Sequence, residues 1–242
     1  MTNHTIHVIP LGEMTLDKSL YTSRMDYGKK LDLGIYAWYI EGPTEKILVD
    51  SGLSVEYFLQ RGIPSRRIQP LESALNKLGL DVADIDLVIQ THLHHEHIAE
   101  AHTLSKARFI VQRKELEFAM NPHPAMGGTY AKKFIEGVNF ETIDGDVQVC
   151  DGVDLLLTPG HTVGSQSVAI KTAQGTAVIS GLCTIQQNFE PPESVKKSMR
   201  VIPIGICVNL LDAYDSLCRI KDVADIIIAN HDPVYENISH IP

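Results

Sequence analysis

The sequence predicts a single domain of mixed α/β class that spans residues 1–242. This length suits one domain with a large core better than two domains. Hydrophobic residues make up 44% of the chain and charged residues 21%, which is typical of a folded globular protein. Short β-rich runs alternate with helix-like segments, and polar residues follow the strands, where a rigid sheet can position them for binding.

In the first half, strand-like runs are predicted over residues 6–9, 35–40 and 46–50. A helix is predicted next, because Leu71, Ala74, Leu75 and Leu78 form one apolar stripe and Gly79 stands where a C-terminal cap belongs. A further strand over residues 85–90 leads into a histidine-rich segment. The polar segment after this strand is therefore the first candidate site.

The second half repeats this pattern. Strands are predicted over residues 108–111, 153–157, 167–170, 176–179 and 225–229, and a helix over 209–219. Two segments, 121–130 and 188–194, are rich in turn-forming residues, so they are either loops that cover a substrate or ordinary solvent loops.

Composition excludes several classes of protein. The formal charge is −9, from 21 basic and 30 acidic residues, and no dense basic run offers a surface for nucleic acid. No apolar stretch approaches the ~20 residues of a membrane span, and the first residues lack the pattern of a secretory signal. We therefore expect a soluble, cytoplasmic protein with no membrane partner. The four cysteines are scattered, which favours reduced thiols over disulfides.

Residues 92–97 contain four histidines and one glutamate, where the composition of the chain would place roughly 0.3 of a histidine. Imidazoles and carboxylates bind borderline divalent cations, so the segment predicts a metal site. His92 and His94 can aim at one point, and Glu96 and His97 at a second. Two further candidate ligands follow predicted strands: His161, after a Pro-Gly turn, and His231. Asp50, which also follows a strand, is expected to orient a ligand histidine by hydrogen bonding.

Several segments together resemble the metallo-β-lactamase superfamily. Residues 92–97 resemble its H-x-H-x-D-H signature, residues 158–165 its second metal motif, 47–52 its early strand that ends in aspartate, and 230–233 its last ligand motif. Residues 166–167, 188–190 and 231–232 are most similar to the N-acyl-homoserine lactonase branch. The resemblance implies an αββα sandwich with one or two metal ions at one edge. A first ion would bind His92, His94 and His161, and a second Glu96, His97 and His231.

The chain departs from the superfamily pattern at two positions. Glu96 stands where the family has aspartate, and its extra methylene lengthens the reach of the carboxylate. The bridging aspartate should follow the strand 176–179, but Gly181 or Leu182 takes that position and neither can bind a metal. Two outcomes stay open: one ion on three histidines with Glu96 free as general base, or a second ion retained because Cys183 replaces the aspartate. Thr184 matches a tyrosine that assists the substrate carbonyl in the lactonase branch.

The resemblance implies a metal-dependent hydrolase that opens a lactone or similar small cyclic ester by attack of metal-bound hydroxide on a small-molecule carbonyl substrate. Zinc is the expected metal, with manganese or iron as alternatives. The other hypotheses are a hydrolase of another ester, amide or thioester in the same superfamily, and a ligand-binding pseudoenzyme without turnover. His123 and Tyr130 are candidate substrate contacts. The sequence leaves open whether copies associate into a homo-oligomer.

Overall fold

Two β-sheets packed face to face form the centre of the protein, in a computed structural model that describes residues 3–242. The strands are β1 (Thr5–Asp17), β2 (Lys30–Glu41), β3 (Ile47–Val49), β4 (Ser65–Arg67), β5 (Leu87–Ile89), β6 (Arg108–Gln112), β7 (Phe140–Ile143), β8 (Val147–Cys150), β9 (Val153–Leu157), β10 (Gln166–Thr172), β11 (Gly175–Ile179), β12 (Ile226–Ile228) and β13 (His240–Ile241). The α-helices are α1 (Val55–Gln60), α2 (Leu71–Lys77), α3 (His95–Ile98), α4 (Arg113–Met120), α5 (Lys132–Ile135), α6 (Gln186–Phe189), α7 (Glu193–Lys196) and α8 (Leu210–Val223).

The first sheet has the strand order β13-β1-β2-β3-β5-β6-β7, with β4 paired to β1, and the second has the order β12-β11-β10-β9-β8. Strands β3, β5, β6 and β7 are parallel to one another, and β11 is parallel to β12. The carboxyl ends of β3 and β5 therefore lie at one edge of the first sheet. The carboxyl ends of β9, β11 and β12 share an edge of the second sheet, because β9 and β11 are both antiparallel to β10.

The buried apolar residues form three layers, because successive side chains of a strand point to opposite faces. Leu87 and Ile89 of β5 face the second sheet and pack with Val168 and Ile170 of β10. Val88, between them, packs instead with the residues of α2 and the other helices outside the first sheet. Helices α6 and α8 cover the outer face of the second sheet. This arrangement is the αββα sandwich that the sequence predicts.

Helix α8 shows why the local sequence folds as it does. Asn209 caps its first turn, because the side-chain oxygen accepts hydrogen bonds from the backbone N–H groups of Leu211 and Asp212. Ala213, Leu217 and Ile220 form its buried stripe against the second sheet. Over residues 3–242, none of the helices has the length and apolarity needed to cross a bilayer.

Candidate metal centre

The ends of four strands meet at one edge of the sandwich and deliver polar side chains to a common point. His92 and His94 follow β5, His161 follows β9, Cys183 follows β11 and His231 follows β12. The four histidines have no exposed surface, and Cys183 is 2% exposed. Polar side chains are seldom buried together in this way without bonding partners, so the cluster points to a ligand-binding function.

The cluster contains two overlapping groups of metal-ligating atoms. Ligand atoms of His92, His94, His161 and Cys183 lie within 4.8 Å of one another, and the same limit holds for His92, Glu96, His97 and Cys183. In the first group, His161 Nε2 lies 3.1 Å from His94 Nδ1 and 3.0 Å from Cys183 Sγ. Cys183 and His92 belong to both groups.

His231 approaches the same thiol from the side of the second group. Its Nε2 lies 3.5 Å from Cys183 Sγ, and its ring centroid is 5.1 Å from that of His97. His231 therefore lies beside Glu96 and His97, and these three residues are called the second half of the cluster.

Three of the imidazole rings are held from behind by hydrogen bonds at Nδ1. His97 Nδ1 lies 2.7 Å from a carboxylate oxygen of Asp50, His161 Nδ1 lies 2.7 Å from the carbonyl oxygen of Ile206, and His231 Nδ1 lies 2.8 Å from that of Gly34. Because these partners accept hydrogen bonds, each ring carries its proton on Nδ1. Each Nε2 therefore turns a free lone pair toward the cluster.

Asp50 joins the two ends of the histidine-rich segment 91–97. One oxygen accepts a hydrogen bond from the backbone N–H of Thr91 at 2.8 Å, and the other lies against His97. Its backbone has the left-handed conformation, with φ of 59°, which is unusual outside glycine and is found where function requires it. Asp50 therefore holds the His97 ring in place against Thr91, the residue before His92.

The ionisation of the site suits cation binding. Burial lowers the pKa of His92 and His94 well below the usual value and lowers that of His161 to about 4, so these rings are neutral at neutral pH. Burial works against the charged form of Glu96, but the imidazoles of His95, His94 and His97 outweigh it and lower the pKa of Glu96. Neutral imidazoles and an ionised carboxylate are the forms that bind metal.

Several atoms in the cluster lack the partners that burial requires. His92 Nε2, His97 Nε2 and Glu96 Oε2 are buried and have no hydrogen-bond partner in the described part of the chain. Buried polar atoms without partners are rare in native proteins, and an ion would satisfy all three. Nitrogen, oxygen and sulfur ligands at this spacing fit one or two borderline divalent cations.

Comparison with known proteins agrees with this geometry. The family model described as "Metallo-beta-lactamase superfamily" matches residues 32–221. The chain is 30% identical over 204 residues to the N-acyl homoserine lactonase AiiA of Bacillus thuringiensis subsp. kurstaki, a match that covers 78% of this chain and 80% of the relative. The chain belongs to the metallo-β-lactamase superfamily. It falls in the N-acyl homoserine lactonase branch of the superfamily and is a metal-dependent hydrolase of the lactonase type.

Two solved structures show how closely the fold is shared. An N-acyl homoserine lactone hydrolase with the product N-hexanoyl-L-homoserine bound at its catalytic metal centre matches with a TM-score of 0.79 and 28% identity, over 98% of this chain and 96% of the other. AidC, a dizinc quorum-quenching lactonase, matches with a TM-score of 0.73 at 14% identity, over 99% of this chain and 90% of the other. The second likeness concerns the fold alone.

The structure shows what stands where the superfamily signature has its bridging aspartate. A side chain at Gly181 has no room, since a Cβ there would lie 1.8 Å from the carbonyl oxygen of Gln166. The side chain of Leu182 is buried in the apolar layer between the second sheet and α8. Cys183, one residue further along, carries the side chain that reaches the metal centre.

The remaining predicted site residues, Thr184, His123 and Tyr130, differ in how close they lie to the metal centre. Thr184 is buried, and its hydroxyl donates to Asn230 Oδ1 at 3.4 Å. His123 is exposed, and its Nδ1 accepts the backbone N–H of Ala125 at 3.2 Å. Tyr130 is buried with its ring 4.8 Å from that of His94. The structure therefore brings Tyr130 to the metal centre and leaves His123 at the surface.

Two residues at the site are not predicted by the sequence pattern. Glu115 of α4 is fully buried and accepts hydrogen bonds from the backbone N–H groups of Leu93 at 3.0 Å and Gly164 at 3.1 Å, so it ties together the two ligand-bearing loops. Tyr21, between β1 and β2, packs its ring edge-on against His231. Neither residue belongs to a local motif, because each reaches the site through long-range packing.

Proposed function

We propose that this hydrolase opens the ring of an N-acyl homoserine lactone and would hold two zinc ions with the help of the Cys183 thiol. The observation that carries the proposal is the position of Cys183 Sγ, which lies 3.0 Å from His161 Nε2 in one half of the cluster and 3.5 Å from His231 Nε2 in the other. The AiiA relative is named an N-acyl homoserine lactonase, the solved hydrolase holds the product N-hexanoyl-L-homoserine at its catalytic metal centre, and this chain shares their fold. A Cys183 thiolate would supply the anionic ligand that Gly181 and Leu182 cannot supply.

In this arrangement His92, His94 and His161 would hold one ion, and Glu96, His97 and His231 the other. Histidine nitrogen and cysteine sulfur are preferred ligands of zinc, and sulfur disfavours manganese. Burial raises the pKa of the Cys183 thiol, but a bound cation favours its deprotonated form. Glu96 acts as a ligand here, rather than as the general base of a site with one ion.

The two ions, when bound, would activate a water molecule and polarise the carbonyl group of the substrate. The protein holds the ligands in place before the reaction begins. Asp50 and the carbonyl oxygens of Ile206 and Gly34 fix three rings, so little reorganisation is needed during ring opening. Burial of the whole cluster keeps bulk water from weakening these interactions.

An apolar cleft supports a substrate with an apolar group. Its volume is about 250 Å³, and its lining includes Arg24, Met25, Val195, Met199, Pro203 and Leu210. The two loops that border it also contact the metal centre, since one contains Ile206 and the other follows Tyr21. We assign this cleft to the acyl chain.

Because Cys183 must stay reduced to bind metal, a cytoplasmic location suits the proposed function.

The test combines metal content with a panel of substrates. We expect about two zinc ions per chain, and acid release from N-hexanoyl- and N-decanoyl-homoserine lactone in a pH-stat. His92→Ala should abolish the reaction, whereas His123→Ala, which alters an exposed histidine, should not change it. About one ion per chain would contradict the bridging thiol. Hydrolysis of simple esters, amides or thioesters without ring opening would contradict the substrate class.

A further inference from the structure

Tyr21 is held firmly beside the metal centre. It directly follows the 3-10 turn Lys18–Leu20 and is 1% exposed. Its backbone N–H donates to the carbonyl oxygen of Lys18 at 2.9 Å, and its own carbonyl accepts a hydrogen bond from Asn188 Nδ2 at 2.7 Å. Asn188 is itself fully buried and also donates to Ile202. The position of Tyr21 is thus fixed by the β1–β2 connection and by α6.

The side chain of Tyr21 points into the cluster. Its ring contacts that of His231 edge-on, with centroids 5.9 Å apart and planes at 83°. Burial, with a smaller contribution from the Cys183 thiol, raises the pKa of Tyr21, so its hydroxyl lies near this thiol, which belongs to both ligand groups. Histidines of both halves converge on this thiol, so a carbonyl group bound there would lie close to the Tyr21 hydroxyl.

Two other hydroxyls near the cluster are already engaged. Thr184 donates to Asn230, and Tyr130 donates to a carboxylate oxygen of Glu115 at 3.1 Å. Both therefore point away from the space between the ligand groups. Of these three hydroxyls, that of Tyr21 is directed at the metal centre. Tyr21 lies on a different element from Thr184, which is the position that matches the tyrosine of the lactonase branch.

We propose that Tyr21 is a catalytic residue whose hydroxyl donates a hydrogen bond to the carbonyl oxygen of the bound lactone. This role rests on the proposed function. As water attacks the carbonyl carbon, negative charge develops on the oxygen, and a fixed donor in a water-excluded site stabilises that charge. The hydroxyl keeps its proton throughout, so Tyr21 acts as a hydrogen-bond donor and not as an acid.

The test compares Tyr21→Phe with Tyr27→Phe in the full-length, zinc-loaded protein. Tyr27 lies in the same connection but is 72% exposed, so its substitution is a matched control. Loss of one such donor should lower kcat for N-decanoyl-homoserine lactone by about 100-fold in Tyr21→Phe, with little change in KM. Zinc content, thermal unfolding and the thiolate absorption band of the cobalt-substituted protein should match the wild type.

The outcomes separate this role from the proposed function. Equal kcat in the two variants, with an active wild type, would overturn the role of Tyr21 and leave the lactonase function in place. Loss of zinc or a shifted cobalt–thiolate band in Tyr21→Phe would show that the hydroxyl serves the thiol and not the substrate. A wild type that binds zinc but opens no lactone would overturn the proposed function, and this role with it.

Discussion

The two halves of the metal centre differ in how they balance charge. The half formed by His92, His94 and His161 contains imidazoles alone, and burial lowers the pKa of each ring. In the other half burial also opposes the charged form of His97, but the Asp50 carboxylate outweighs it and raises the pKa of that ring. Glu96 adds a second carboxylate on the same side. Negative charge is therefore concentrated in the half that contains Glu96, His97 and His231.

This difference separates the tasks of the two halves. A cation beside two carboxylates has much of its charge neutralised, whereas one held by three neutral imidazoles keeps more of it for polarising a carbonyl group. We therefore expect the three-histidine half to carry more of the catalytic effect and the carboxylate half to anchor its ion more tightly. Three substitutions test this comparison.

The largest effect is expected from His161→Ala, which removes a ligand from the three-histidine half. The value of kcat/KM for lactone opening should fall by at least about 10³-fold. This loss exceeds the 10- to 100-fold cost that is typical when a residue that hydrogen-bonds to a metal ligand is mutated. His231→Ala, in the other half, should cost less activity for the same loss of one ligand. Similar losses in kcat/KM for the two variants would show that the halves share the catalytic effect equally.

A smaller effect is expected from Cys183→Ser, which removes the thiol between the halves. Zinc content should fall from about two ions per chain toward one, and the cobalt–thiolate absorption band should disappear. Cys183→Asp should restore the second ion, because a carboxylate at the same position can bridge. The control is Cys207→Ser, at a half-buried thiol, which should keep both ions. Two ions in Cys183→Ser would show that the thiol is not a ligand.

The local spacing of apolar residues correctly predicts several strands and helices. The predicted strand over residues 153–157 coincides with β9, and the stripe of Leu71, Ala74 and Leu75 forms the buried face of α2. Strands β1 and β2 form a hairpin much longer than the predicted runs 6–9 and 35–40, and in β1 a bulge between Pro10 and Gly12 interrupts the alternation. The short strands β4, β7 and β8 carry few buried residues, so their pattern gives little signal.

In the candidate site, too, local motifs can be predicted from the sequence, whereas contacts that depend on long-range packing cannot. The histidines lie in motifs at the ends of strands, so their convergence could be predicted from the order of the elements. The direction of a side chain after β11 could not, because it depends on the backbone path past Gln166, which leaves no space at Gly181. Glu115 and Tyr21 reach the centre from elements that carry no motif, and packing alone brings them there.

Asp50→Asn tests the charge difference with the smallest change in shape. Asparagine tolerates the left-handed backbone and can still accept the N–H of Thr91 through its oxygen, but it turns an amide N–H₂ group toward His97. His97 Nδ1 would then have to accept, which moves the ring proton to Nε2 and blocks the lone pair that faces the cluster. Zinc affinity of this half should fall about 10- to 100-fold, while the three-histidine half keeps its ion. Chelator titration should therefore become biphasic, and nitrogen NMR should report the changed tautomer.

The control for this prediction is Asp144→Asn, at an exposed carboxylate. A single unchanged titration phase would show that Asp50 contributes structure but does not set the charge of this half.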